Sequence, residues 1–332
     1  MTQQEQRIME MLINANQAKT KTILNTFLKK YYKKTIITKD YTIAEGTIPI
    51  ALVAHLDTVF EESIAKYGRD LFYDENRNVM FSPYGGGFDD KAGVFAIIQL
   101  IRRGLRPHVI LTTDEEIGVL GALKVAGLTC PFSELKYIIE LDRRGSNDCV
   151  FYDCINQDFI DYVEGFGFSF NHGSFSDISE LCPAWRVAGV NLSVGYYNEH
   201  SESEILYVGQ LMATIEKVHK MLSTAEEAPS FIYIPSPNSF GKNWYFTKTP
   251  FTNELEDNQV LKCEKCKKYF MEEELFPTVS LKKGTSFFCP DCMVNHIGWC
   301  SKCGNAYELN PNTADAGLCP FCKEEGEVKS DS

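Results

Sequence analysis

Five short stretches of the chain carry the residue types that hold metal ions and move protons. In "AHLDTV", His55 and Asp57 lie two apart, so both side chains can face one side of a strand. An imidazole that binds a metal needs an acceptor on its other nitrogen, and Asp57 is spaced to supply it; alone, the pair also reads as a polar strand end. In "GGGFDDKAG", Asp89 and Asp90 follow three glycines. Neither the G-x-G-x-x-G of a dinucleotide site nor the G-K-[ST] of a phosphate loop is present, and in isolation the two aspartates read as helix caps. In "TTDEEIG", Glu115 and Glu116 are adjacent; one carboxylate can ligate a metal while the other takes a proton from water, although such a pair also suits a solvated loop. Asp142 closes "YIIELD", and His200 stands in "YYNEHSESE". Imidazole nitrogen with carboxylate oxygen suits zinc, with cobalt or manganese able to replace it.

These residues need elements to bring them together. The runs "IPIALVAHL" (48–56) and "RPHVILTTD" (106–114) are apolar, β-branched and of strand length, and "KAGVFAIIQLIRRG" (91–104) between them is an amphipathic helix closing on Gly104. Strand, helix, strand predicts a parallel, buried pair. Apolar runs over 135–142 and 188–197, with a helix over 203–222, extend the pattern. Residues 4–32, apolar at helical spacing and basic in the last turn, read as one helix. The acidic and histidine residues then fall at strand ends, where open α/β sheets build their sites.

Taken in order, H-x-D, a glycine loop with D-D-K, D-E-E-x-G, a strand-terminal Asp and a late H-S-x-x-E form a conjunction that resembles the di-zinc metallopeptidase superfamily. That superfamily holds peptidase T, carboxypeptidase G, the acetylornithine deacetylase group and the compact bacterial aminopeptidases. The resemblance covers residues 46–222 and rests on "AHLDTV", "FDDKAGV" and "DEEIG". It implies a three-layer α/β/α domain around a mostly parallel mixed sheet. It also implies that Asp89 bridges two zinc ions across a cis Asp89–Asp90 peptide. His55 and Asp142 would complete one zinc, Glu116 and His200 the other, with Glu115 as general base and Asp57 orienting His55. The implied reaction is cleavage of a peptide or amide bond by a water or hydroxide bridging the two zincs, in an aminopeptidase-like peptidase. Its alternatives are deacylation of a small acylated amino acid or metabolite, and a non-catalytic binding module. From Asp142 to His200 there are only 58 positions, too few for the lid domain of the larger members. The oxyanion stabiliser must then come from the core domain, for which His172 and Tyr197 are the candidates, while Arg143 and Arg144 could hold a substrate carboxylate.

The cysteines divide the chain. Cys263, Cys266, Cys289 and Cys292 form C-x2-C-x22-C-x2-C, and Cys300, Cys303, Cys319 and Cys322 form C-x2-C-x15-C-x2-C, the spacing of two structural zincs in a double zinc ribbon. The expected organisation is a catalytic domain over 1–224, a Pro/Ser/Asn-rich linker over 225–259 that packs partly on the first domain by its aromatics, the ribbons over 260–326 and a disordered tail over 327–332. Lys+Arg 33 against Asp+Glu 45 gives a net charge of −12, and nine basic face eleven acidic residues over 262–331. This balance argues against nucleic acid and favours a protein partner for the ribbons. With no secretion signal and no long apolar run, the expected setting is cytoplasmic and off the membrane.

Overall fold

The computed structural model describes residues 1–236, and beyond them 260–263, 265–266, 269–271, 276–280, 284–288, 297–299 and 306–308. The chain divides into two compact units, Met1–Lys248 and Thr249–Ser332.

Two helices open the first unit, α1 (Gln3–Ile13) and α2 (Gln17–Tyr31), where the apolar spacing predicts one. The asparagines between them break the run. Asn14 ends α1 with its side chain tied to Arg69, accepting from the Arg69 N–H at 2.6 Å and donating to the Arg69 carbonyl at 2.9 Å. Asn16 caps α2 by accepting from the Lys19 N–H. Short polar side chains that bond the backbone in this way favour caps over helix interiors.

There follow β1 (Lys34–Ile37), β2 (Tyr41–Glu45), β3 (Ile48–His55), α3 (Glu61–Tyr67), β4 (Phe72–Asp74), β5 (Val79–Phe81), α4 (Phe88–Arg102), β6 (Pro107–Thr112) and α5 (Leu120–Ala126). The unit continues with β7 (Tyr137–Arg143), β8 (Asp148–Val150), α6 (Gln157–Glu164), β9 (Ser169–Phe170), α7 (Ile178–Trp185), β10 (Gly189–Ser193), β11 (Tyr196–Tyr197), β12 (Ile205–Tyr207) and α8 (Val208–Ser223).

The main sheet has the order β1-β2-β6-β3-β7-β10-β8-β9. Its four central strands run parallel, as the strand–helix–strand reading predicts, and β2 and β8 join them antiparallel. Alternation along these strands builds one core on each face. Ile50, Leu52, Val109, Leu111, Tyr137 and Ile139 pack with α1, α2, α4, α6 and α8, whereas Ala51, Val53, Ile110 and Ile138 pack with α5 and α7. Helices on both faces make the three-layer α/β/α arrangement expected.

The strand over 188–197 is two strands, because β10 pairs with β7 while β11 leaves to pair with β12. The last helix starts at Val208 because residues 205–207 are taken up in a second, antiparallel sheet of order β11-β12-β5-β4. Residues 225–232 of the expected linker belong to the first unit's packing: Phe231 is buried, with its ring centroid 4.9 Å from that of Phe159.

Among its described residues, the second unit contains three antiparallel strand pairs, Val260–Lys262 with Tyr269–Met271, Phe276–Ser280 with Gly284–Phe288, and Ile297–Trp299 with Ala306–Glu308. Cys263 is buried and Cys266 exposed. Cys289, Cys292, Cys300, Cys303, Cys319 and Cys322, residues 237–259 of the expected linker and the tail 327–332 lie outside the described residues. Among the described residues, no helix is long and apolar enough to cross a membrane.

Candidate metal centre

Parallel neighbours bring their carboxyl ends to one edge, and the site grows from that edge. His55 ends β3 and pairs with Thr112 at the end of β6; Val53 pairs with Glu140 on the other side, so Asp142, two residues on, comes level with His55. Glu115 and Glu116 follow directly from β6. Asp89 arrives from the start of α4, where Asp89 and Asp90 leave helical φ/ψ and their peptide bond is cis, as the resemblance implies. The glycine loop delivers it. Gly87 sits at φ +62°, a left-handed conformation that side chains resist, and a Cβ there would come within 3.1 Å of the Thr58 hydroxyl.

The carboxylate of Asp89 faces two ways. Its Oδ1 lies 3.1 Å from His55 Nε2, which is also 3.5 Å from Asp142 Oδ1; its Oδ2 lies 3.2 Å from His200 Nε2, itself 2.9 Å from Glu116 Oε2. Ligand atoms of His55, Asp89 and Glu116 fall within 4.8 Å of one another, as do those of His55, Asp90 and Asp142. Asp90 is already engaged, because its Oδ1 accepts from the Gly93 N–H at 2.9 Å and its Oδ2 from the His55 N–H at 3.2 Å. That leaves Asp89 as the carboxylate open to both sides.

Asp57 lies where its spacing suggests. Its Oδ1 lies 3.3 Å from His55 Nδ1, and its two oxygens accept from the Glu115 and Glu116 N–H groups at 3.1 and 3.0 Å. Burial alone would raise its pKa; the His55 and backbone hydrogen bonds outweigh it and lower it. One carboxylate thus fixes a histidine and the turn that carries both glutamates. Asp57→Asn should weaken metal binding about 10–100-fold, the range for partners that orient ligands; unchanged zinc affinity in calorimetry would remove this role.

The electrostatics suit a cation. Glu115 is pushed up to about 9, by burial first and then by Asp142, Asp177 and Glu116, with His55 opposing. Asp142 is pushed up to about 7 by burial and by Asp89, again against His55. His200 is raised to about 11 by its hydrogen bonds to Asp89 and Glu116, which outweigh burial. Carboxylates that raise one another's pKa share a place where positive charge is stabilised, and the buried Glu116 Oε1 has no hydrogen-bond partner. The residues therefore fit a pair of metal ions: His55 and Asp142 on one side of Asp89, Glu116 and His200 on the other.

The cleft beside this cluster has a volume of about 180 Å³ and is lined by Asp89, Glu115, Asp142, Tyr196 and His200, with Arg143, Arg144 and Glu199 among the remaining residues. Tyr197 is not among them. Its hydroxyl donates to Gln210 at 2.9 Å, whereas that of its neighbour Tyr196 donates to Asp142 Oδ1 at 3.0 Å. Adjacent strand residues face opposite ways, so a slip of one position in reading the strand selects the wrong tyrosine. His172 is exposed, its ring set edge-on to Phe170, and its carbonyl accepts from Arg143 at 3.0 Å. Arg144 pairs with Glu199 at 2.7 Å. Ser176, unforeseen, donates to Asp142 Oδ2 at 3.1 Å, and no spacing rule joins two residues 34 positions apart.

Fold and cluster together define a three-layer α/β domain with a His/Asp/Glu site at the carboxyl edge of its parallel strands. No family model and no curated protein matches the chain by sequence. Solved structures share the fold. A tripeptidase from Staphylococcus aureus aligns at TM-score 0.55 and 12% identity over 68% of this chain and 99% of its own. A TET aminopeptidase from a marine-sediment thaumarchaeote aligns at 0.52 and 14% over 68% and 99%, and the aminopeptidase PepT from Bacillus cereus at 0.50 and 14% over 67% and 99%.

Proposed function

We propose that the first unit is a two-metal peptidase of the aminopeptidase kind. The observation that carries this reading is the carboxylate of Asp89, with one oxygen 3.1 Å from His55 and the other 3.2 Å from His200. The fold it shares with a tripeptidase and two aminopeptidases supports the same reading.

Asp89 would be shared by two zinc ions, with His55 and Asp142 holding one and Glu116 and His200 the other. Zinc bound there supplies Lewis acidity, drawing the pKa of water toward neutrality and polarising a carbonyl. Glu115 is the group left to move protons. It lines the cleft, and its carboxyl is free of the ligand set, so it would take a proton from water and return it to the leaving amine. Asp57 would hold His55 in one tautomer through Nδ1 and fix the Glu115–Glu116 turn. Tyr196, whose hydroxyl lines the cleft beside Asp142, would replace Tyr197 as the group placed to stabilise an oxyanion. In the second unit, the eight cysteines would hold two structural zincs, for about four zincs per chain at the usual four thiolates each.

A second reading, removal of an acyl group from an amino acid, is favoured by Arg143 and Arg144 in the cleft wall, where a substrate carboxylate would find them. The two separate in one assay. Zinc-loaded protein should release the first residue from peptides with free N-termini and leave N-acylated amino acids intact; the reverse pattern would select the deacylase. Activity that survives chelation of the metals would end both.

A further inference from the structure

We infer that Glu204 is a positioning residue that locks the bridging carboxylate to the segment carrying His200; this rests on the reading of Asp89 as a shared metal ligand. Glu204 is 1% exposed and lies four residues after His200, in the turn between it and β12. Its carboxylate reaches back 115 and 117 positions in sequence. Oε1 accepts from the Asp89 N–H at 3.0 Å and Oε2 from the Gly87 N–H at 2.5 Å. One side chain thus grips the backbone of the glycine loop on both sides of Phe88.

The surroundings make this grip informative. The Glu204 N–H is itself held by the Ser201 carbonyl at 3.1 Å, and the next residue, Ile205, pairs with Phe81 at the end of β5, the strand that leads into the glycine loop. Glu204 therefore stands where the chain leaving His200 meets the chain approaching Asp89. His200 Nε2 and Asp89 Oδ2 lie 3.2 Å apart, and with Glu116 they form the second of the two ligand sets. A shift of the loop carrying Asp89 relative to His200 would open this set first. His55 reaches Asp89 from β3, which Glu204 does not touch, so the His55–Asp142 set depends on it less.

A plain capping role is the rival. Gly87 has no side chain to cap α4, and a carboxylate supplied from elsewhere could serve the helix alone. The two roles separate on metal affinity. A cap stabilises the fold with or without metal; a positioning residue changes how tightly the second ion is held.

The test uses the full chain, with zinc binding measured by calorimetry and thermal melting measured with and without metal. Glu204→Gln keeps the shape, but its amide nitrogen faces an N–H where an acceptor is needed. Glu204→Asp keeps the charge and is one methylene too short to span both amides. Asp89→Ala serves as the reference in which the shared ligand is gone. We expect both Glu204 variants to bind one zinc about 10–100-fold more weakly than the wild type. The remaining zincs should be retained, and the melting temperature should fall further with metal than without it. Equal zinc affinities in wild type and variants would overturn the inference and leave the proposed function standing. So would a melting temperature lowered alike with and without metal at unchanged affinity. If the wild type holds no more zinc than Asp89→Ala, the two-metal reading falls and this inference falls with it. Should Glu204→Gln fail to fold, Glu204→Asp decides.

Discussion

Glu115→Gln is expected to lower kcat by about 10²–10⁴-fold, the contribution of a well-placed general acid or base. Zinc content and melting temperature should stay at wild-type levels. The side chains of Glu115 and Glu116 part company although they are neighbours. The Glu116 carboxylate is 2.9 Å from His200 and belongs to the proposed ligand set, whereas Glu115 lines the cleft. Both backbone N–H groups donate to Asp57, and this anchor survives a change of the Glu115 side chain. An amide in place of the carboxylate keeps volume and polarity and loses only the capacity to take a proton. Steady-state kinetics on a free-N-terminus peptide, paired with zinc analysis of the same preparation, makes the comparison. Hydrolysis at the wild-type rate in the variant would transfer the base to another residue and remove the central chemical step proposed for Glu115.

Gly93→Ala is expected to cost about 3 kcal/mol or more of stability, at or above the upper end of the range for overpacking in a core. It should also weaken zinc binding. A Cβ at this position would stand 2.0 Å from the Leu141 carbonyl oxygen and 2.4 Å from Asp90 Oδ1. The first is backbone in the central strand β7 and has nowhere to go, since β3 and β10 pair on either side of it. The absence of a side chain is what lets α4 lie directly against β7. Displacement at Leu141 is passed to Asp142, the next residue, and displacement at Asp90 to Asp89. Chemical denaturation and zinc calorimetry would each register the change. A variant with the wild-type midpoint and affinity would mean that α4 and β7 separate without cost.

Much of the site was legible because its residues stand at the ends of long apolar runs. β3, β6 and β7 are strands buried on both faces, and such runs of β-branched residues leave little choice of element. Once their carboxyl ends are known, His55, Glu115, Glu116 and Asp142 must share an edge. The glycines around Asp89 marked a loop, and its chemical meaning came from the order of motifs. What stayed hidden depends on contacts distant in sequence. The break between α1 and α2 is made by Arg69 holding Asn14, and helical periodicity cannot register it. The small sheet joins β5 to β12, more than a hundred residues apart, and two- or three-residue strands carry almost no pattern. Tyr196 displaces Tyr197 through a register that only the folded sheet decides, and Glu204, although it closes the H-S-x-x-E motif, shows no role of its own until its partners are seen.

The segment 225–232 continues the first unit beyond its last helix. The Phe231 N–H donates to the Lys136 carbonyl, the Ala188 N–H donates to the Phe231 carbonyl, and the Phe231 ring packs against Tyr137, Phe159 and Tyr162. A boundary drawn at residue 224 would therefore cut through the core and uncover four aromatic rings. One drawn after Ser236 leaves that core closed. For protein engineering, the first unit runs on past its last helix to Lys248, and a shortened chain meant to separate it from the cysteine-rich unit has to respect that margin.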